Sequence, residues 1–290
     1  MIIGNGRVIT NNIENPFIEN GGALVKNNVI EEVGEFQDLK KKYPEEEVVD
    51  VKGRLIMPGM INTHSHIYSA YARGMAVSKS TDNFFNVLEN QWWSLDRKLT
   101  LEDCELNAYT TYIESIRNGV TTLFDHHSSP NAATDSLFTI AEVAKKLGVR
   151  TSLCYEVSDR DGKDITRDEI EENVKFIKAY NGTEEDRIKG LFGMHASFTL
   201  SNETMYKIKE AMEGVDAGYH VHVAEGIEDE YDSLKKYGRR VVERLFDFDM
   251  LGNQTIAVHC VHANQRELEI LKETDTNVVH NPMSNMNNAV

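Results

Sequence analysis

The sequence predicts an α/β protein: a parallel barrel of the (β/α)8 type preceded by a small β unit. Three observations predict it. From Leu55 onward, short apolar strand candidates alternate with helix-length segments about seven times in a row, which favours a barrel over an open doubly wound sheet. The first fifty-odd residues read instead as short strands punctuated by turn residues. No Gly-x-Gly-x-x-Gly follows any strand candidate, which argues against a dinucleotide-binding sheet.

In the N-terminal unit, Ile2-Ile3, Arg7-Val8-Ile9-Thr10, Ala23-Leu24-Val25-Lys26 and Val29-Ile30-Glu31-Glu32-Val33-Gly34 are β-rich. Asn27-Asn28 between two apolar runs is a hairpin signal. The unit ends near Gly53, so the expected division is 1–54 and 55–290. Barrel strands are expected at 60–66, 120–125, 149–154, 190–195, 217–223, 254–259 and 277–280. Thr100 with Asp103 has the capping-box spacing and opens a helix that stops at Gly119. Further helices run from about Asp135 to Gly148, from about Asp168 toward Gly182 and from Ser201 to Gly214. Asn264 with Glu267 opens the last clear one.

The chain has 290 residues, 31 basic and 47 acidic, for a net charge of −16. That balance argues against nucleic-acid and anionic-membrane partners. Three cysteines without a C-x-x-C pair fit a reducing compartment. No signal-peptide pattern and no bilayer-length apolar run are visible, so a soluble, cytoplasmic protein is expected.

The chemistry lies in the histidines. His64-Ser65-His66 ends the apolar run that begins at Leu55, and in an extended strand residues i and i+2 share a face, so both imidazoles can reach one metal ion. Taken alone the pair could equally be two polar residues on a loop. However, His126, His127, His195, His220, His222, His259, His262 and His280 also fall at the ends of predicted strands, where barrel enzymes carry their active sites. Structural histidines would scatter. Glu225 lies just beyond the strand that carries His220 and His222, placed to move a proton beside a metal-activated water. The competing reading makes it the start of an acidic helix, where a carboxylate is favourable. Trp92 and Trp93 fit a core role better than a substrate clamp.

These pieces together resemble the amidohydrolase superfamily, in its cytosine/guanine-deaminase-like and chlorohydrolase-like branch. The matching segments are Pro58-Gly59-Met60-Ile61-Asn62-Thr63-His64-Ser65-His66, Gly119-Val120-Thr121-Thr122-Leu123-Phe124-Asp125, His220-Val221-His222-Val223-Ala224-Glu225, Val258-His259-Cys260-Val261-His262 and His280-Asn281-Pro282-Met283-Ser284-Asn285. Ile67-Tyr68-Ser69-Ala70, Trp92-Trp93 and Asp125-His126-His127 look most like the SsnA-type aminohydrolases. The resemblance implies that His64, His66 and His222 bind one divalent metal, zinc or else iron. It also implies that Glu225 is the proton shuttle and that His259 touches the activated water. His195 would face a small-molecule substrate, and His280 with Asn285 would lie at the pocket rim or support it. His220 would stand behind the ligands, and His262 behind His259. A homo-oligomer is a further implication.

The family's remaining ligand is an aspartate ending an eighth strand, whereas the seventh-strand motif here is followed at once by Val290. The expected architecture is therefore a (β/α)8-type TIM barrel missing its eighth strand, with an incomplete N-terminal β-sandwich, as in a C-terminally truncated chain. The expected function is metal-dependent hydrolysis of a non-peptide C–N bond, above all deamination of a heterocyclic amine. Hydrolytic dechlorination or cyclic-amide hydrolysis would use the same machinery. The alternative is a catalytically incompetent fragment or metal-binding remnant. Residues 76–88 form the loop expected to select the substrate.

Overall fold

A computed structural model of the chain describes residues 1–288 and 290. It contains two compact units, Met1–Met60 and Ile61–Val290.

The first unit holds β1 (Ile2–Ile9), β2 (Phe17–Lys26), β3 (Val29–Glu35), α1 (Phe36–Lys42), β4 (Val48–Asp50) and β5 (Leu55–Ile56). The sheet runs β3-β2-β1-β4, with β5 also on β1. The two short N-terminal strand candidates are one strand, β1, because bulges at Gly4/Gly6 and Gly6/Val8 let it continue past the glycines. The β2–β3 hairpin pairs Lys26 with Val29, and Asn27 and Asn28 both take positive φ (48° and 63°), as a two-residue primed turn requires. Ile2, Leu24, Phe36 and Leu39 form its small core. Gly4 is obligatory there, since a Cβ would lie 2.2 Å from the Phe36 ring. Helix α1 has no counterpart among the expected elements.

The second unit carries β6 (Met60–Ser65), β7 (Val120–His127), β8 (Arg150–Tyr155), β9 (Ile188–Gly190), β10 (Phe192–Ala196), β11 (Tyr219–Val223), β12 (Ile256–His259) and β13 (Asn277–Val279). Two four-stranded sheets follow chain order, β6-β7-β8-β9 and β10-β11-β12-β13. The registers from β7 to β9 and from β10 to β13 are parallel. β9 and β10 are two halves of the one strand expected at 190–195, interrupted at Leu191. Leu191 N donates to Leu153 O, while Val157 bridges to the second half. The seven expected barrel strands are thus all present. Among the described residues β6 and β13 each have one strand neighbour.

Between the strands lie α2 (Phe84–Val87), α3 (Trp93–Asp96), α4 (Leu101–Arg117), α5 (Ser136–Leu147), α6 (Lys163–Tyr180), α7 (Asn202–Ala211), α8 (Ile227–Tyr237), α9 (Val241–Asp247), α10 (Gln265–Glu273) and α11 (Pro282–Asn288). Thr100 and Asp103 make the reciprocal capping box that opens α4, and Asn264 and Glu267 do the same for α10. Helix α6 starts five residues before the expected Asp168. Gly162 caps it, and Thr166 Oγ1 donates back to Ser158 O and Gly162 O, which stabilises the earlier turn. The helices close over two apolar clusters. One contains Phe192, Met194, Val221, Val223 and Leu245, the other Leu123, Leu137, Ile140, Tyr155 and Phe176. Fully burying each such side chain contributes roughly 1.5–3 kcal/mol. Among the described residues no helix is long and apolar enough to cross a membrane.

Candidate metal centre and active-site cavity

Strand alternation sorts the side chains at the C-terminal ends of the strands. On β11, Val221 and Val223 are fully buried in an apolar cluster, so His220 and His222 turn to the opposite face. The parallel register sets His222 beside Ala196 and Val258, and Val223 beside His259. On β6, Ser65 turns away and donates to Phe124 O, which leaves His64 and His66 facing inward. Ala224 (φ 46°), His259 (φ 73°) and Cys260 (φ 52°) all hold left-handed backbone at these strand ends. Such conformations cost on the order of 1–3 kcal/mol each and concentrate at functional sites.

The imidazoles have defined tautomers. His66 Nδ1 lies 2.7 Å from His126 O and His222 Nδ1 lies 2.8 Å from His195 O, so both rings carry their proton on Nδ1. Their Nε2 atoms then face one another across 3.3 Å, lone pair to lone pair. That arrangement is repulsive unless a cation or an extra proton sits there. Burial resists the proton: it pushes His66 down to about 4 and His222 and His64 well below the usual imidazole range. Neutral imidazole is the metal-binding form. The donor set fits a divalent ion, since ligand atoms of His64, His222 and His259 lie within 4.8 Å of one another. His126 meets the same distance with His66 and His222, but both its ring nitrogens face acceptors, Glu156 Oε2 on one side and Met194 O and His220 O on the other. His64 Nδ1 stands 3.0 Å from His220 Nε2, so His220 orients His64 from behind.

Beside this cluster, Glu225 Oε2 lies 3.5 Å from His259 Nε2 and Glu225 Oε1 accepts from Asn288 Nδ2 at 2.9 Å. Glu225 precedes α8, whose cap is Gly226, so its carboxylate is not part of the helix. His259 Nδ1 is 2.7 Å from Asn285 Oδ1. A cavity of about 610 Å3 opens over these groups, walled by His64, His66, His195, His222, Glu225, His259 and His280. Asn285 does not line it and reaches the site only through His259. His262 lies behind the site, its backbone bonded to Ala224 O and to Arg240.

Trp92 and Trp93 do not belong to the core as expected. Both line the cavity, because residues 84–96 wind as a helix broken by a π-turn that presents Phe84, Leu88 and Trp92 at intervals of four. The proposed selector loop therefore ends in a helix that forms one cavity wall. His126 and His127 are fully buried and do not line this cavity. His126 pairs with Glu156, and His127 bonds Ser129.

Several residues went unrecognised in the sequence. Buried Asp125 takes Ile67 N at 2.6 Å and Ser65 Oγ at 3.4 Å, pinning the turn after His66, and burial pushes it up to about 8. Buried Asp229 accepts from Ala224 N and Phe198 N and so ties the Glu225 turn to the end of β10. Glu156, Asp96 and Arg160 form a buried charged group beside the cavity. The available signal was a charged residue, Glu156, two positions beyond the strand expected at 149–154.

Comparison with known proteins places this geometry. Residues 55–290 match the Amidohydrolase family. The chain belongs to that family. A 5'-deoxyadenosine deaminase from Methanosarcina mazei is 32% identical over 289 residues, covering 99% of this chain and 63% of the relative. A 5-methylthioadenosine/S-adenosylhomocysteine deaminase from Caldanaerobacter subterraneus subsp. tengcongensis is 30% identical over 280 residues, 94% of this chain and 60% of the relative. The chain thus spans less than two thirds of the length of these curated relatives. Among solved structures, E. coli guanine deaminase superposes with a TM-score of 0.82 at 21% identity, over 99% of this chain and 69% of that one. An adenosine deaminase from Xanthomonas campestris with bound zinc gives 0.82 at 21%, over 99% and 64%. These likenesses show that the amidohydrolase fold is shared.

Proposed function

We propose that this chain carries the catalytic metal centre of a hydrolase that deaminates a heterocyclic amine of the adenosine type. The observation that carries the reading is the pair of facing Nε2 lone pairs on His66 and His222, with Glu225 beside His259 at the same cavity. The printed activities of the curated relatives, deaminases of adenosine derivatives, support the substrate class.

In this reading His64, His66 and His222 hold one divalent ion, with zinc the best fit to an all-imidazole set. When bound, the ion supplies Lewis acidity that makes water a nucleophile near neutral pH. Glu225 would carry the attacking water's first proton to the ring nitrogen and then the remaining hydroxyl proton to the departing amino group. The C–O bond forms, the exocyclic C–N bond breaks, and ammonia leaves with the lactam as the other product. His259, its Nδ1 proton donated to Asn285, presents Nε2 to the oxygen, 3.5 Å from Glu225 Oε2. His195 and His280 line the substrate space. A soluble cytoplasmic setting agrees with this reading.

Zinc-loaded protein offered 5'-deoxyadenosine, adenosine, guanine and a chlorotriazine, with ammonia and chloride release followed, tests it. Ammonia from the adenosine derivatives, abolished by chelation, is expected. Stoichiometric zinc with chloride release alone would overturn the deaminase assignment.

A further inference from the structure

The functional reading leaves Glu156 unused, although it is the most unusual group in the cavity wall. Its side chain is 2% exposed, follows β8 directly and lines the cavity. One oxygen, Oε2, is 3.0 Å from His126 Nδ1. The other is free. Arg160 Nη2 stands 3.9 Å from Oε1, beyond hydrogen-bond reach, and Arg160 is engaged by Asp96, Asp161 and Ser128. Among the described residues no donor reaches Oε1.

His195 stands beside it. The Thr199 hydroxyl donates to Ala196 O, so His195 Nδ1 must donate to Thr199 Oγ1 at 2.8 Å. His195 Nε2 therefore carries a lone pair, and it too has no partner among the described residues. Ligand atoms of Glu156, His195 and His222 lie within 4.8 Å of one another. Two unpartnered acceptors, one a carboxylate, face the same cavity side by side. Around them Asp96, Glu156 and Asp161 stand against two guanidiniums, Arg160 and Arg97, so it is the Glu156 carboxylate at the cavity wall, not a net charge of the lobe, that disfavours an anion there.

Both residues line the cavity, where the N–H donors of a ligand can reach these two acceptors. We propose that Glu156, together with His195, is a specificity-determining pair that receives two adjacent N–H donors of the substrate, as an amidine, guanidine or amino-substituted ring edge presents them, and that this lobe excludes carboxylate and phosphate groups. The inference rests on the hydrolase reading only in taking this cavity as the substrate site. A site built on buried polar groups rejects ligands that leave them unpaired far more strongly than an apolar site does.

The test is calorimetric binding to the zinc-loaded chain with benzamidine and benzoate as probes, which share a ring and differ in donor edge and charge. Wild type is expected to bind benzamidine. Glu156→Gln is expected to weaken benzamidine at least tenfold while leaving benzoate unchanged or tighter, with one zinc retained. Glu156→Asp keeps the charge but draws it back, should fall between the two, and carries the test if the glutamine variant does not fold. Equal effects on both probes would overturn the proposal. So would loss of a second zinc equivalent in the variant, because Glu156 would then be a metal ligand. Failure of the hydrolase reading looks different: the probe preference follows Glu156, but no zinc-dependent ammonia release accompanies it.

Discussion

At the scale of single residues, the division of labour between Glu225 and the imidazoles can be separated by experiment. Glu225 touches His259 and Asn288 and has no bond to His64, His66 or His222. Glu225→Gln keeps the shape and the Asn288 contact but cannot cycle a proton. It should lower kcat by roughly 10²–10⁴-fold with zinc content unchanged, measured by ammonia release alongside metal analysis. A variant that loses its zinc would make Glu225 a ligand instead. A second residue-scale expectation concerns Glu169, fully buried on α6, where one oxygen accepts from Ser158 N and the other has no partner. Burial raises its pKa well above the usual 4.5. A carboxyl raised on folding is protonated in the native state and ionised in the unfolded one, so its stabilising contribution is complete below 4.5 and declines as pH rises toward the native value. The decline reaches about 1.4 kcal/mol per pH unit per proton. Glu169→Gln should therefore flatten the loss of stability between pH 5 and 7, read from urea midpoints at both values. Parallel wild-type and variant curves would show that Glu169 is ionised in the fold.

At the scale of elements, the caps were the most legible features because they are short-range chemistry. Thr100/Asp103 and Asn264/Glu267 need only their own three-residue spacing to be satisfied, and both boxes form. Thr100→Ala removes the side chain that accepts from Asp103 N and donates to Asp103, and should cost about 1 kcal/mol as a lower urea midpoint at unchanged slope. An unchanged midpoint would mean that tertiary packing, not the cap, sets the start of α4. What failed to show in the sequence depends on distant partners. The break at Leu191 reflects its bond to Leu153 O, thirty-eight residues away in the chain (191 − 153), and no local pattern encodes it. The early start of α6 depends on Ser158 O as an acceptor for Thr166. Trp92 and Trp93 look like core residues by composition, and only the π-turn in residues 84–96 aims them at the cavity.

At the scale of the whole molecule, the convergence of the histidines was legible and the cavity wall around Glu156 was not, for one physical reason. The histidines come as local pairs, His64/His66 and His220/His222, because strand alternation makes residues i and i+2 share a face. The Asp96–Arg160–Glu156 group joins two segments, around residue 96 and over 156–160, whose residues are ordinary charged side chains until folding buries them together. The same convergence makes a prediction about global stability. The opposed Nε2 atoms of His66 and His222 repel in the metal-free fold, and binding of an ion to the native state alone stabilises it by RT ln(1 + [L]/Kd). With zinc at a hundredfold excess over its dissociation constant the gain is about 2.7 kcal/mol. At roughly 2–4 °C per kcal/mol for domains of comparable size, the thermal midpoint should rise by about 5–10 °C. Chelator should reverse the rise, and magnesium, which prefers oxygen ligands, should not reproduce it. His66→Ala and His222→Ala should each abolish the zinc response, and each should also lower the midpoint of the metal-free protein, since truncation leaves His126 O or His195 O without its Nδ1 donor. Loss of the zinc response is the decisive readout. A purely structural histidine pair would leave zinc without effect on the wild type.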